Sequence, residues 1–528
     1  MSTGENAVIA SVGDIARWHG RQTPARIAIA YEQRQISFAD LDRETNRVAN
    51  GLLALGLPPQ SRIAFLDKNT DDFFVAWLGA AKAGMVLAPI NWRLAPPEIA
   101  YILEHSDAEV LMIGAEFLPL MATLGPAMGR IRLCLCLDTP GGGAEGATDF
   151  RQWQAGQPAH DPAVAIAAGD IAIQLYTSGT TGRPKGAMLS HGNVLAGAAH
   201  VATGALGPWG NDEIYLQCLP NFHIGGAGTG INALHYGATL LLLREFDPAR
   251  VLETFRTWPV TKAGFVPAMQ LMLLQHPQCA GTDFGRLDLI YYGASPIPLE
   301  LLKRSVATFG CGFIQLYGMT ETTGPALTLM PEDHDAGGSP RMRSAGRPMP
   351  GVGLRVVDGA GKDVALGDVG EILIQGPVVM QGYWKNPEAS AGAIVDGWMH
   401  TGDAGYMDAE GYLYVYDRVK DMIVSGAENV YPAEVESALF GHPAIADVAV
   451  IGVPDAKWGE AVKAVVVLKT GATATADEII AHARAAVAGY KCPKTVDFVE
   501  SLPRNPSGKL LKRELREPYW AGRERRVN

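Results

Sequence analysis

The chain has 528 residues, more than one hydrophobic core usually supports, so its length implies about three or four core-sized units or one large domain with a smaller appendage. A composition of 48% hydrophobic and 19% charged residues is that of a globular protein and excludes a disordered or fibrous chain. With 44 basic against 55 acidic side chains the formal charge is -11, without the basic balance that phosphate neutralisation favours, so no nucleic-acid partner is expected.

The first twenty residues lack a basic start followed by an apolar core, so no signal peptide is expected. The run "FFVAWLGAAKAGMVLAPI" is the nearest approach to a membrane span. Lys82 and its glycine and proline interruptions make it a buried helix leading into a strand, and no integral membrane segment is expected. Around it helical and short apolar runs alternate: "FADLDRETNRVANGLLALGL" (helix), "RIAFLD" (strand), "DDFFVAWLGAAKAG" (helix), "MVLAPI" (strand), "PPEIAYILEHS" (helix), "AEVLMIG" (strand). That rhythm predicts doubly wound α/β sheets. Cys134 and Cys136, two apart in "IRLCLCL", fall on one face of a strand as small core residues. The six cysteines contain no C-x-x-C pair, which argues against a zinc site or disulfide scaffold and fits a reducing cytoplasm. "DTPGGGAEGATDF" reads as an exposed loop.

From about 340 to 416 the texture changes to short β-like runs, "LRVVD", "GEILIQG" and "GYLYVYD", which predict a β subdomain. From about 421 the pattern is helix, strand, strand, helix, strand, a small α+β unit. The arginine-rich end from Lys512 reads as a solvated helix end.

The segment "YTSGTTGRPKG", residues 176 to 186, follows the apolar run "IAIQL". Its glycines let backbone N–H groups converge on an anion, and Thr177, Ser178, Thr180, Thr181 and Lys185 add donors and charge, so the loop suits a polyphosphate. It is not a Walker loop, because Lys185 lies between Pro184 and Gly186. Taken alone it could also be a glycine-rich surface turn.

This segment resembles the phosphate-loop signature of the acyl-adenylate-forming superfamily, and matches [ST]-S-G-[ST]-T-G-x-P-K-G throughout. "YGMTE" (317 to 321), "TGD" (401 to 403), "DRVKDMIVSGAENVYPAEVE" and "PRNPSGKLLKREL" resemble further motifs of that family, in its order and over nearly the whole chain. The resemblance implies a large N-terminal adenylation domain (1–417), with doubly wound sheets and a β subdomain, and a small mobile C-terminal α+β domain (418–528) hinged near Lys420. It implies ATP, Mg2+ and coenzyme A as cofactor and co-substrates, and a carboxylic acid as the small-molecule partner. The sequence is compatible with a homodimer.

The resemblance also distributes roles. Lys185, Thr177, Ser178, Gly179, Thr180, Thr181 and Gly182 would hold polyphosphate, and Glu321 would bind magnesium. Tyr317 would stack on adenine, with Gly293, Ala294 and Ser295 on its other side and Gly318, Met319 and Thr320 adjoining. Asp403 and Arg418 would hold ribose. Lys509 would serve adenylation, and Lys420 would be the pivot that exchanges Lys509 for the "SGAEN" loop. There Gly426 would leave a passage for pantetheine. The family's usual glycine before this arginine is Asp417 here, and its alternative hinge aspartate is Lys420. His223, Gly225, Phe265, Val266, Pro267, Tyr292 and Gly318 would line an apolar acyl pocket. His191 reads as structural, with Ser190 a helix cap. The similarity to bacterial fatty-acid acyl-CoA synthetases implies a medium- or long-chain acid. Aryl, hydroxycinnamate or sterol-derived acids, and a carrier protein in place of coenzyme A, are the alternatives.

Overall fold

The computed structural model describes residues 9–138, 146–177, 183–418, 421–425, 428–455, 458–504 and 510–521. Among them the strands form four sheets. One sheet has the spatial order Thr148–Asp149, Leu133–Leu137, Val110–Gly114, Arg62–Leu66, Val86–Pro89, Ile171–Thr177, Lys185–Ser190. Its strands are parallel except for the final antiparallel pair. The larger sheet runs Arg347–Pro348, Gly324–Leu329, Gly312–Met319, Leu289–Gly293, Lys262–Gly264, Ile214–Gln217, Thr239–Leu242, Ile27–Tyr31, Arg34–Ser37. Its middle is parallel and its edges antiparallel.

Helices fill the space between them for reasons visible in the sequence. Ser37 caps Phe38–Ala54 by accepting from the Asp40 N–H, and Phe38, Leu41, Val48 and Leu52 form its buried stripe. Asp71–Lys82 is apolar on every side but its ends and is buried along its whole length, as expected of a helix enclosed by neighbours. Its Lys82 donates to Asp42 Oδ1 (2.5 Å) and Asn46 Oδ1 (2.7 Å). Burial lowers that ammonium to about 8. The main core cluster takes Ile29 and Leu240 from the larger sheet, Ile63 and Leu87 from the other, and Phe73 and Trp77 from this helix. No helix among the described residues is long and apolar enough to cross a membrane.

The β subdomain is the third sheet, Gly353–Val357, Gly370–Gln375, Trp398–Met407 and Ile394–Val395, with Leu413–Arg418 paired to Trp398–Met407. The fourth sheet holds strands from Ile423 to Phe498, so the change of sheet falls between Arg418 and Ile423. The molecule is thus a mixed α/β protein with a large N-terminal part and a smaller C-terminal one. The cysteine pair is buried as expected. The helix Lys512–Trp520 has no buried residue, as expected of a solvated helix, and is also tied down: the Trp520 indole donates to Gly452 O (3.0 Å) and Arg516 pairs with Asp421 (2.8 Å).

Candidate functional site

In open α/β sheets ligands bind beyond the carboxyl ends of parallel strands, and Thr177, Gly293 and Met319 all end such strands. Thr177 and Lys185 are a cross-strand pair. The segment they bracket, with Ser178, Gly179, Thr180, Thr181 and Gly182, lies outside the described residues. Thr177 Oγ1 donates to Glu321 Oε1 (3.2 Å). The same oxygen accepts from the Tyr383 hydroxyl (2.8 Å), and Lys185 Nζ lies 5.0 Å from the Tyr383 ring centre. One carboxylate, one ammonium and two hydroxyls therefore converge from three separate stretches of chain.

The local fold explains the meeting. Glu321 sits in the 3-10 turn Thr320–Thr322, where its carbonyl accepts from Met380 N–H (2.9 Å). Thr323 Oγ1 fastens the same turn to Val378 O (2.6 Å). Trp384 N–H donates to Gly186 O (2.8 Å), so the Tyr383 segment is laid along the strand that starts at Lys185. Among the described residues no group of three His, Cys, Asp or Glu side chains could hold a metal alone. Glu321 within an oxygen-rich set nonetheless fits magnesium, a hard cation that usually completes its shell with substrate phosphate and water.

Beside this cluster the Tyr317 hydroxyl donates to Asp403 Oδ2 (2.8 Å), joining the larger sheet to the third. Asp403 N–H donates to Thr401 Oγ1 (3.0 Å). Its backbone pairs with Arg418, whose side chain lies outside what is described. Gly293 and Gly318 have a packing reason to be glycine, since a β-carbon would lie 2.2 Å from Leu316 O and 2.0 Å from Gly324 O respectively. Ala294 adopts a left-handed backbone (φ 66°) and is exposed, an uncommon conformation for a side-chain-bearing residue that clusters at ligand sites. Ser295 is half-buried next to it, as is Met319, while Thr320 is buried.

Of the residues expected to line an acyl pocket, His223 caps the helix Ile224–His235, its Nδ1 accepting from Gly225 N–H (3.2 Å). That bond assigns the proton of the neutral ring to Nε2. Phe265, Val266 and Tyr292 lie in a second core cluster, and Pro267 opens the helix behind them. Tyr292 is held there by His334 Nε2 (2.8 Å) and Gln315 Oε1 (3.2 Å). These side chains have almost no exposed surface as the chain stands, so an acyl group touching them has to part them. His191 is structural: it is fully buried, its Nδ1 accepts from Val12 N–H (3.1 Å), and burial lowers its ring to about 4. Ser190 caps the helix it precedes.

Lys420, Gly426 and Lys509 lie outside the described residues. Tyr383 is the residue that motif reading passes over. Only its place after Gly382 in an aromatic pair, "GYW", marks it.

Comparison with known proteins shows the family. The family model for AMP-binding enzymes matches residues 16–384 and that for the AMP-binding enzyme C-terminal domain matches 434–509. The fatty acid--[acyl-carrier-protein] ligase ScoC of Streptomyces coeruleorubidus is 39% identical over 97% of both chains. A feruloyl-CoA synthase of Amycolatopsis sp is 38% identical over 94% of this chain and 97% of its own. Among solved structures, the anthranilate CoA ligase AuaEII in complex with anthranoyl-AMP superposes with a TM-score of 0.90 at 28% identity, covering 98% of this chain and 99% of that one. ATP-bound MatB from Rhodopseudomonas palustris gives 0.87 at 32% identity, covering 96% and 99%. The chain belongs to the AMP-binding enzyme family, the acyl-adenylate-forming superfamily. It is an acid–thiol ligase of the AMP-forming acyl-CoA synthetase class, working through an acyl-adenylate.

Proposed function

We propose that this enzyme joins ATP to a medium- or long-chain fatty acid and passes the acyl group to coenzyme A, in the cytoplasm. The observation that carries the reading is the meeting of Thr177, Lys185, Glu321 and Tyr383 at one carboxylate oxygen and one ring. A carboxylate attacking the α-phosphate brings two anions together, so the work is charge neutralisation and in-line positioning. Lys185 and Thr177 hold the polyphosphate. Glu321 holds magnesium, which supplies further neutralisation of phosphate charge. The Tyr317 ring, set by its hydrogen bond to Asp403, lies against adenine between the Gly293–Ser295 turn and Gly318, and Asp403 with Arg418 takes the ribose. Lys509 then serves adenylation, and rotation at Lys420 replaces it with the passage at Gly426 for thioester formation. No side-chain nucleophile is required, because phosphate is already a competent leaving group for the thiolate.

At Gly225 a β-carbon would make only ordinary contacts, 3.5 Å from His223 Nδ1 and 3.9 Å from a Leu219 methyl, so packing does not require glycine there and this reading assigns it to the acyl path. Named relatives include both a fatty-acid and a feruloyl ligase. One observation favours a second reading, an aryl acid with a polar substituent. The fully buried Tyr215 hydroxyl, whose polar neighbour is the Thr229 side chain, would lie 2.5 Å from a β-carbon on Gly264, next to Phe265. Mass spectrometry of products from ATP, magnesium and a panel of aliphatic and aryl acids, with and without coenzyme A, decides between them. AMP, pyrophosphate and aliphatic acyl-CoA are expected. Preference for hydroxyaryl acids selects the second reading, and acyl-AMP that accumulates despite coenzyme A refutes coenzyme A as acceptor.

A further inference from the structure

On the outer side of Lys185 lies a cavity of about 320 Å³, lined by Tyr101, His105, Arg183, Lys185, Trp384 and Asn386. Its charged groups are the Arg183 and Lys185 cations, and the Tyr101 hydroxyl is spent on Pro184 O (3.3 Å). Neither Arg183 nor Lys185 has a carboxylate partner among the described residues, and each lies over an aromatic ring, Tyr101 and Tyr383 respectively. Behind the Trp384 ring, at 3.5 Å, stands the Arg62 guanidinium, buried and likewise without a carboxylate. Asn386 uses its Oδ1 to cap the following helix, so its amide N–H2 group is the donor it has left.

A directed chain of hydrogen bonds ends here. Arg62 Nε donates to Gln174 Oε1 (3.2 Å), and Gln174 Nε2 donates to the Tyr176 hydroxyl oxygen (3.0 Å). The proton of Tyr176 has one acceptor in reach among the described residues, His105 Nδ1 at 3.0 Å. His105 therefore carries its own proton on Nε2, which has no partner among the described residues. Burial, aided by Lys385 and opposed by Asp107, lowers the His105 ring. Lys385 is itself paired with Asp107 (2.5 Å). A row of donors without a free carboxylate among the described residues fits a multiply charged oxyanion.

We propose that this cavity receives inorganic pyrophosphate as it leaves ATP, on the Arg183 guanidinium, the Lys185 ammonium and the His105 Nε2–H. The inference rests on the adenylation reading: the acid's oxygen bonds to the α-phosphorus, the bond from that phosphorus to the bridging oxygen breaks, and the electron pair departs on pyrophosphate. Lys185, which the adenylation reading places on the polyphosphate, also lines the cavity, so the product is handed from one set of cations to the next.

The test uses the full chain and two readouts, calorimetric titration with magnesium pyrophosphate and acid-dependent ATP–pyrophosphate exchange. Loss of one exposed charge-assisted contact predicts a five- to tenfold rise, about 1 kcal/mol, in both Kd and KM for pyrophosphate in Arg183→Ala. His105→Phe, which keeps the ring stacked on Tyr101, raises them about threefold, and Arg183→Lys restores most of the loss. The KM values for ATP and coenzyme A stay within twofold. Unchanged pyrophosphate constants, or no pyrophosphate binding by the unsubstituted chain, overturn the proposal. A parallel rise for ATP overturns it by placing Arg183 on bound nucleotide, and a rise for coenzyme A alone by giving the cavity to that molecule's 3′-phosphate. Pyrophosphate binding that weakens as expected without exchange for any acid refutes adenylation and leaves the cavity standing.

Discussion

Tyr383 shows how a single hydroxyl can decide the behaviour of a charged group. Its hydrogen bond and that of Thr177 end on the same oxygen of Glu321, a residue only 5% exposed. A hydrogen bond to a charged partner contributes roughly 1.5–3 kcal/mol. Tyr383→Phe keeps the ring under Lys185 and removes the bond, so kcat/KM for ATP in the exchange reaction falls at least about tenfold, while KM for coenzyme A is unchanged. An unaltered ATP dependence would show that Glu321 is positioned by its backbone alone. Of this cluster, Thr177, Lys185 and Glu321 were legible in the sequence because they belong to contiguous motifs. Tyr383 was not, because it reaches Glu321 across 62 residues through backbone pairing onto the Lys185 strand, and no local period encodes that.

At the scale of elements, the sequence was most readable where burial is one-sided or complete. The stripe of Phe38–Ala54 and the apolar length of Asp71–Lys82 named their own structures. Less readable was Ile224–His235, rich in glycine and poor in helix formers, where the four glycines do different things. A β-carbon would lie 2.2 Å from Pro220 O at Gly226 and 2.3 Å from the Phe74 ring at Gly230, whereas at Gly225 it would make ordinary contacts, 3.5 Å from His223 Nδ1 and 3.9 Å from a Leu219 methyl. Close packing of the helix thus accounts for two of the glycines, and the acyl reading claims Gly225. Gly225→Leu is therefore expected to shift the chain-length profile, lowering kcat/KM for long-chain acids at least tenfold and for short-chain acids less than threefold. An equal loss at every length would mean that the substitution damages the His223 cap rather than the acyl path. What ties down the terminal helix escaped sequence reading for another reason. Its arginines resemble a solvated face, and nothing nearby in sequence discloses the partners Asp421 and Gly452.

Across the whole molecule, the two large sheets are tied at their carboxyl ends by Arg244, which follows a strand of one and bonds Asp67, which follows a strand of the other, at 3.1 Å. Arg244 also reaches Tyr31 (3.2 Å) and Glu116. The Asp67 side chain is wholly buried, and burial raises its carboxyl to about 7. Arg244→Ala leaves that carboxylate without its counter-charge, with an expected loss of about 3 kcal/mol at pH 8 in denaturant unfolding. The sign of the pH effect follows from the raised value. Below pH 7 Asp67 keeps its proton in the folded state with or without Arg244, so the penalty shrinks, and it grows as pH rises through 7. Asp67→Asn in the Arg244→Ala background recovers most of the loss, and a penalty independent of pH and of Asp67 would exclude this coupling. Charge partners so far apart in sequence carry no motif, so composition revealed the sheets but not the clasp between them. With Thr177, the Gly293–Ser295 turn and the clasp all at the carboxyl ends of strands, the opposite edge carries no proposed chemistry. The exposed turn in which Gly285 N–H meets Asp283 Oδ1 (2.8 Å), ahead of the strand Leu289–Gly293, lies at that edge. A tag, a fluorophore or a surface tether placed there would be attached to the rigid floor of the enzyme, out of the way of everything that enters and leaves.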